Sequence, residues 1–303
     1  MARESDDSLR QIIERYTADR GSLQRFYDVA ISPATEKTFR QFHTSWRQAL
    51  DRIEFEKLGP NARVDWLLFR NTLDGEIRAL DIERTRVDET SALLPFRATI
   101  IELKEARQRV DPLDPAVAAA TLLRLNKQID EMMRTIGKEP SEKVPKTVAV
   151  RASRLAETLR LTLKAWFDFY DGYDPVFSWW MDAPYKQVDA NLKKYAAALR
   201  EKLAGVKPDD RDTILGDPIG REALLADLRR EMVPYGSEEL IELANREFAW
   251  CDAEMLKASR ESGFGDDWRR ALEHVKTLHV PPGKQPALIL EQALEAISKE
   301  PTT

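Results

Sequence analysis

Three histidines, His43, His274 and His279, and one cysteine, Cys251, are the whole imidazole and thiol inventory of this chain. A zinc hydrolase helix needs two His at i and i+4, so that both rings leave one face, with a Glu between them to activate the bound water. His274 and His279 are five apart, which turns their directions about 140° from each other on a helix. Pro281 and Pro282 would in any case end a helix near the second. The pattern assigns no catalytic residue and no metal ligand, and it reads the three His as surface or capping residues. Cys251 stands in a helical pattern beside Trp250 and reads as a small packed hydrophobe. With no second cysteine, it forms no intramolecular disulfide.

Two glycine-containing stretches, Gly216-Asp-Pro-Ile-Gly220 and Pro282-Gly-Lys284, lack the spacing and the Lys-Ser/Thr ending of a phosphate loop. The first reads as a tight loop into a helix opened by Asp217-Pro218. Arg221, in that helix's first turn, could bind a carboxylate beside the free amides or pair with a neighbouring acid. Aromatic residues crowd one corner: Trp166, Phe167, Phe169, Tyr170, Tyr173, Phe177, Trp179, Trp180 and Tyr185. Most aromatics at a helix corner fill the core, but consecutive residues diverge, so one of Trp179 and Trp180 is expected in the core and the other lining a cleft with Tyr185. Trp179, Trp180, Tyr185 and Arg221 are therefore the candidate substrate or partner surface. Arg151, Arg154, Arg160 and Lys164 recur at helical spacing around Glu157 and read as a solvated face.

The elements that must position these residues are helices. Apolar residues recur at helical spacing in Leu9, Ile12, Ile13 and Tyr16, and again from Phe39 through Trp46 to Ile53. Pro60 opens a pattern carrying Val64, Leu67, Leu68, Leu73, Ile77 and Leu80. Phe96 to Val110 reads as another helix, and Asp114-Pro115 opens one that stops at Gly137. A longer pattern runs from Pro145 to the break at Gly172 and Pro175, which with Pro184 is expected to bend the chain before a helix to Leu203. Ser237 is an expected N-cap, and two further patterns follow Asp266-Asp267 and Pro286. Strand-like alternation is nearly absent. The expectation is an all-α fold, an irregular bundle of about ten or more helices. Residues 1–303 read as one region, with a candidate sub-boundary near 137–146.

Composition excludes some partners. The chain carries 52 acidic and 47 basic residues, net -5, mixed along its length, so no basic face is set up for nucleic acid. No apolar run approaches the roughly 18 residues of a membrane span, and the N-terminus lacks the apolar core of a secretory signal. The chain as written reads as cytoplasmic, with a periplasmic or exported location if a leader has been removed.

Several segments resemble one family. They are Val64-Asp-Trp-Leu-Leu-Phe-Arg-Asn71, Phe167-Asp-Phe-Tyr-Asp-Gly-Tyr-Asp-Pro175 with Trp179-Trp180 and Ala183-Pro-Tyr-Lys186, Gly216 through Tyr235 and on to Cys251, and Leu278-His-Val-Pro-Pro-Gly-Lys-Gln-Pro286. On these the chain is similar to the bacterial domain of unknown function 885. Full-length members of that family resemble helical zinc peptidases whose His-Glu-x-x-His-type motif lies in the C-terminal half. The resemblance implies the N-terminal helical part of such a protein, forming one wall of a substrate cleft, without the zinc motif and inactive alone. Zinc is expected only with the C-terminal half. The implied partners are that half, a peptide, or a second copy of the chain, and a stand-alone helical scaffold is the rival reading.

Overall fold

A computed structural model describes residues 2–136, 144–207, 210 and 212–299. Among these residues there are eleven α-helices and no strand. The chain divides into two compact units, residues 1–230 and 231–303. Most of the sub-boundary expected near 137–146 lies outside the described residues.

The first unit opens with three helices, α1 (Ala2–Phe26), α2 (Pro33–Asp51) and α3 (Pro60–Glu89), around a core of Leu9, Tyr16, Leu50, Trp66, Phe69 and Leu73. Ser32 starts α2, its Oγ accepting from the amides of Ala34 and Thr35 while donating to Glu105. Pro60 sits in the first turn of α3, where its missing N–H costs nothing. Leu73 is buried as expected, but the first half of α3 turns a different face inward. Ala62, Trp66, Phe69 and Leu73 are buried, whereas Val64, Leu67 and Leu68 are 55%, 49% and 44% exposed. The indole of Trp66 reaches the Leu50 carbonyl at 3.1 Å, and satisfying that N–H inside the core fixes the helix's rotation.

A second, larger core follows, built by α4 (Arg97–Gln108), α5 (Pro115–Ile136), α6 (Lys146–Tyr170) and α7 (Pro175–Ala198), the last running into a π-helical turn at Leu199–Leu203. Asp114 caps α5 as its sequence suggests, accepting from Ala116 and Val117 amides. Tyr195 lies fully inside this core, where its hydroxyl donates to the Leu93 carbonyl at 2.5 Å and burial raises its pKa. The unit ends with α8 (Arg221–Arg230).

The second unit consists of α9 (Ser237–Glu261), α10 (Trp268–Thr277) and α11 (Gln285–Lys299). Gly236, not Ser237, is the N-cap of α9, and the Glu239 carboxylate reaches back to its amide at 2.6 Å. Asp267 caps α10 through the Arg270 amide. Among the described side chains of this unit only Ser259 is buried.

Candidate functional site

The aromatic corner is a helix turn. Helix α6 ends at Tyr170, Gly172 takes a left-handed conformation at φ +78°, and Asp174 caps α7 by accepting from the Val176 and Phe177 amides. Ser178 ties the turn closed: its Oγ accepts from the Gly172 amide at 2.9 Å and donates to Asp171 at 2.7 Å. Trp166, Phe167 and Phe177 are buried. Tyr185 packs flat on Phe167, with ring centroids 3.8 Å apart and planes 4° apart. Its hydroxyl is pushed up to about 12, by burial first and then by Asp189 and Asp168.

Trp179 and Trp180 do not divide between core and cleft. Both are exposed, at 76% and 41%, with their rings edge to face at 5.0 Å. The reason is that α7 is one helix through Pro184, not the bend its prolines suggested. Phe177, Met181, Val188, Leu192 and Tyr195 give it a single buried face, and this packing outweighs the hydrogen bond that Pro184 denies the Trp180 carbonyl. On that helix position 179 points about 180° from the direction of Phe177 and Met181, and position 180 about 80° to one side. The angles account for the larger exposure of Trp179.

The stretch from Gly216 to Gly220 serves a different end from the one expected. Asp217 and Pro218 precede the helix rather than open it, since α8 begins at Arg221 after Gly220 turns the chain at φ +88°. Asp217 is held by two guanidiniums. Arg151 grips both carboxylate oxygens, at 2.6 and 3.3 Å, and Arg86 approaches at 3.4 Å while donating to the Asp217 backbone carbonyl at 3.0 Å. Arg151 also donates to Glu89 and to the Arg86 carbonyl. Arg151 holds the Asp217 carboxyl below its ordinary pKa. This clamp lines a cleft of ≈ 460 Å³ with Ile82, Val148 and Ile219. Arg151 and Arg160, read as a solvated face, are thus tied up in ion pairs, Arg160 with Glu157 and Asp189. Arg221 is exposed and outside this cleft. Of the four candidate surface residues, Trp179, Trp180 and Tyr185 share α7, and Arg221 starts α8.

His43 departs most from its expectation. It is 1% exposed between α1 and α3, with Nδ1 3.3 Å from the Tyr16 hydroxyl and Nε2 3.9 Å from Glu76, which Arg20 binds at 2.8 Å. Burial lowers the His43 pKa and raises the Tyr16 hydroxyl to about 12. Long-range pairings such as Tyr16 with His43 and Arg151 with Asp217 carry no local sequence signal. His274, in α10, lies against Phe264 at 5.2 Å between ring centroids, and His279 follows the end of that helix. Among the described residues no three His, Cys, Asp or Glu side chains are grouped to hold a metal ion. Cys251 is exposed rather than packed, because it lies on the uncovered face of α9.

No helix among the described residues is long and apolar enough to cross a membrane. Neither the curated proteins nor the solved structures contain a match to this chain. A sequence model of one family, described as "Bacterial protein of unknown function (DUF885)", matches residues 17–300. That span takes in most of each unit, the aromatic corner and the Asp217 clamp, and on it the chain belongs to the DUF885 family.

Proposed function

We propose that this chain is the helical, substrate-facing part of a metallopeptidase-like system, working with a complementary half that carries the metal and the water-activating carboxylate. The observation that supports this reading is an apolar stripe that the 231–303 unit does not cover with its own helices. Ile241, Ala244, Phe248, Cys251 and Met255 follow one another at i, i+3, i+7, i+10 and i+14 along α9, and all five are exposed. Helix α11 likewise leaves Ile289, Leu290, Leu294 and Ile297 more than half exposed. Amphipathic helices form because their apolar faces are covered, so stripes of this length suit a second protein surface. The role of the chain itself is to bind and orient, with the α6–α7 corner meeting a peptide.

The test is an assay on amino-, carboxy- and dipeptidyl-peptidase substrates, with and without zinc, using the chain alone and mixed with the C-terminal half of a full-length family member. Turnover is expected only in the mixture. Metal-dependent turnover by the chain alone that disappears in a His274→Ala/His279→Ala variant would overturn the reading. The second reading, a helical scaffold that binds peptides without hydrolysis, draws on the exposed Trp179 and Trp180. It predicts peptide binding with no turnover in either arm.

A further inference from the structure

The tip of the α6–α7 hairpin presents aromatic surface and negative charge together. Tyr173, Val176 and Trp179, at i, i+3 and i+6, are 87%, 58% and 76% exposed, with Trp180 beside them. Two carboxylates stand in the same turn. Asp171 accepts from Ser178, the residue before Trp179, and Asp174 accepts from the first amides of α7. Neither has a Lys, Arg or His partner within ion-pair distance among the described residues. The nearby Lys164 and Lys186 are each occupied by an acid one turn away on the same helix, Asp168 and Asp182.

The protein already seats a cation on this corner. The Arg107 guanidinium lies 4.5 Å from the centroid of Phe169, and its buried Nε has no hydrogen-bond partner. An aromatic face is negative at its centre, so a guanidinium or ammonium is attracted to it, most strongly to an indole. Trp179 offers such a face to solvent, and the turn that leads to it carries two carboxylates without a cationic side-chain partner among the described residues. An acidic ligand would meet repulsion from these carboxylates and a basic one attraction.

We propose that the α6–α7 tip recognises a basic side chain, Arg or Lys, of a polypeptide ligand, stacked on Trp179 with its charge towards Asp171 and Asp174. This assignment rests on the peptide-facing role given above to the same corner and adds the class of side chain that it selects. Trp180, at about a right angle to Trp179, would bound the stacked group on one side.

The experiment compares two fluorescein-labelled peptides on the full chain by anisotropy: Ala-Arg-Leu-Arg-Ala and the same peptide with citrulline in place of both arginines. Citrulline keeps the shape and removes the charge. The arginine peptide is expected to bind about tenfold more tightly, and the advantage should shrink as salt rises. Trp179→Ala and Asp171→Asn/Asp174→Asn should each remove most of that difference, with circular dichroism checking that the fold is intact. Trp179→Leu, which keeps an apolar surface but no π face, should behave like the alanine variant. Equal binding of the two peptides, or an arginine preference untouched by Trp179→Ala, would overturn the basic-side-chain assignment while leaving the peptide-facing role standing. Failure of both peptides to bind at millimolar concentration would overturn both.

Discussion

At the residue scale, aromatic type says little until the helix phase is known. Trp166 and Trp179 belong to the same corner, yet one is 1% and the other 76% exposed. Trp166→Ala should cost about 3–5 kcal/mol, the range for emptying a large core site. Trp179→Ala should stay within about 0.5 kcal/mol. Urea unfolding of both variants measures the contrast. His43 supports a second expectation at this scale. Its burial holds its pKa below the ordinary value in the folded chain, so the unfolded chain takes up a proton that the folded chain refuses. Stability that is full above the unfolded value of about 6.5 should therefore drain as pH falls from there towards the folded value. For one proton the slope is at most about 1.4 kcal/mol per pH unit. Protonation would bring His43 a partner in Glu76, 3.9 Å away, and a repulsion from Arg20, with Tyr16 the remaining group facing it. Urea midpoints at pH 7.5 and 5.5 should converge in His43→Gln relative to the parent chain. An unchanged pH dependence would assign the effect to other groups.

At the element scale the Asp217 clamp joins three distant parts of the 1–230 unit: α3 through Arg86, α6 through Arg151, and the segment leading to α8. Its side chains are only 14–28% exposed, and charge-assisted hydrogen bonds at that burial exceed those of surface pairs. Asp217→Asn should cost about 1–2 kcal/mol. Amide exchange over residues 212–220 should speed up more than exchange in α5, and a uniform change would mean that the clamp does not act locally. This element also marks where sequence reading stops. Helix starts at Pro60, Asp114-Pro115 and Asp267 are legible because capping and proline placement are local physics, whereas Asp174-Pro175, read as a break, turns out to open α7. The register of α3 was not, since Val64, Leu67 and Leu68 satisfy the same spacing as Ala62, Trp66 and Phe69. What decided between them was a neighbouring helix offering the Leu50 carbonyl. The run of α7 through Pro184 depended in the same way on packing along its buried face. Of the candidate site, the exposed corner was legible as an aromatic cluster, but the division between its two Trp was not. The Asp217 clamp gave no signal at all, because its partners lie 66 and 131 residues away.

At the scale of the whole molecule the two units differ in how they are held together. The 1–230 unit has two continuous cores of large side chains, whereas the 231–303 unit buries little beyond Ser259 among its described residues. Helices of 10–25 residues gain only modest stability from propensity. The 231–303 helices therefore depend on whatever covers their apolar stripes. In a purified sample a second copy of the chain is one such cover. We expect sedimentation to show a mass above the monomer at high concentration, together with binding of an apolar-surface dye. Phe248→Asp, at the middle of the α9 stripe, should shift the equilibrium back towards monomer, and Leu294→Glu should do the same through α11. Since both positions are exposed, at 70% and 58%, neither change should alter the main thermal transition. Adding a complementary family half should compete with self-association and abolish the dye signal. A chain that stays monomeric at high concentration and binds no dye would mean that these stripes need no partner, and would favour the scaffold reading over a two-part hydrolase.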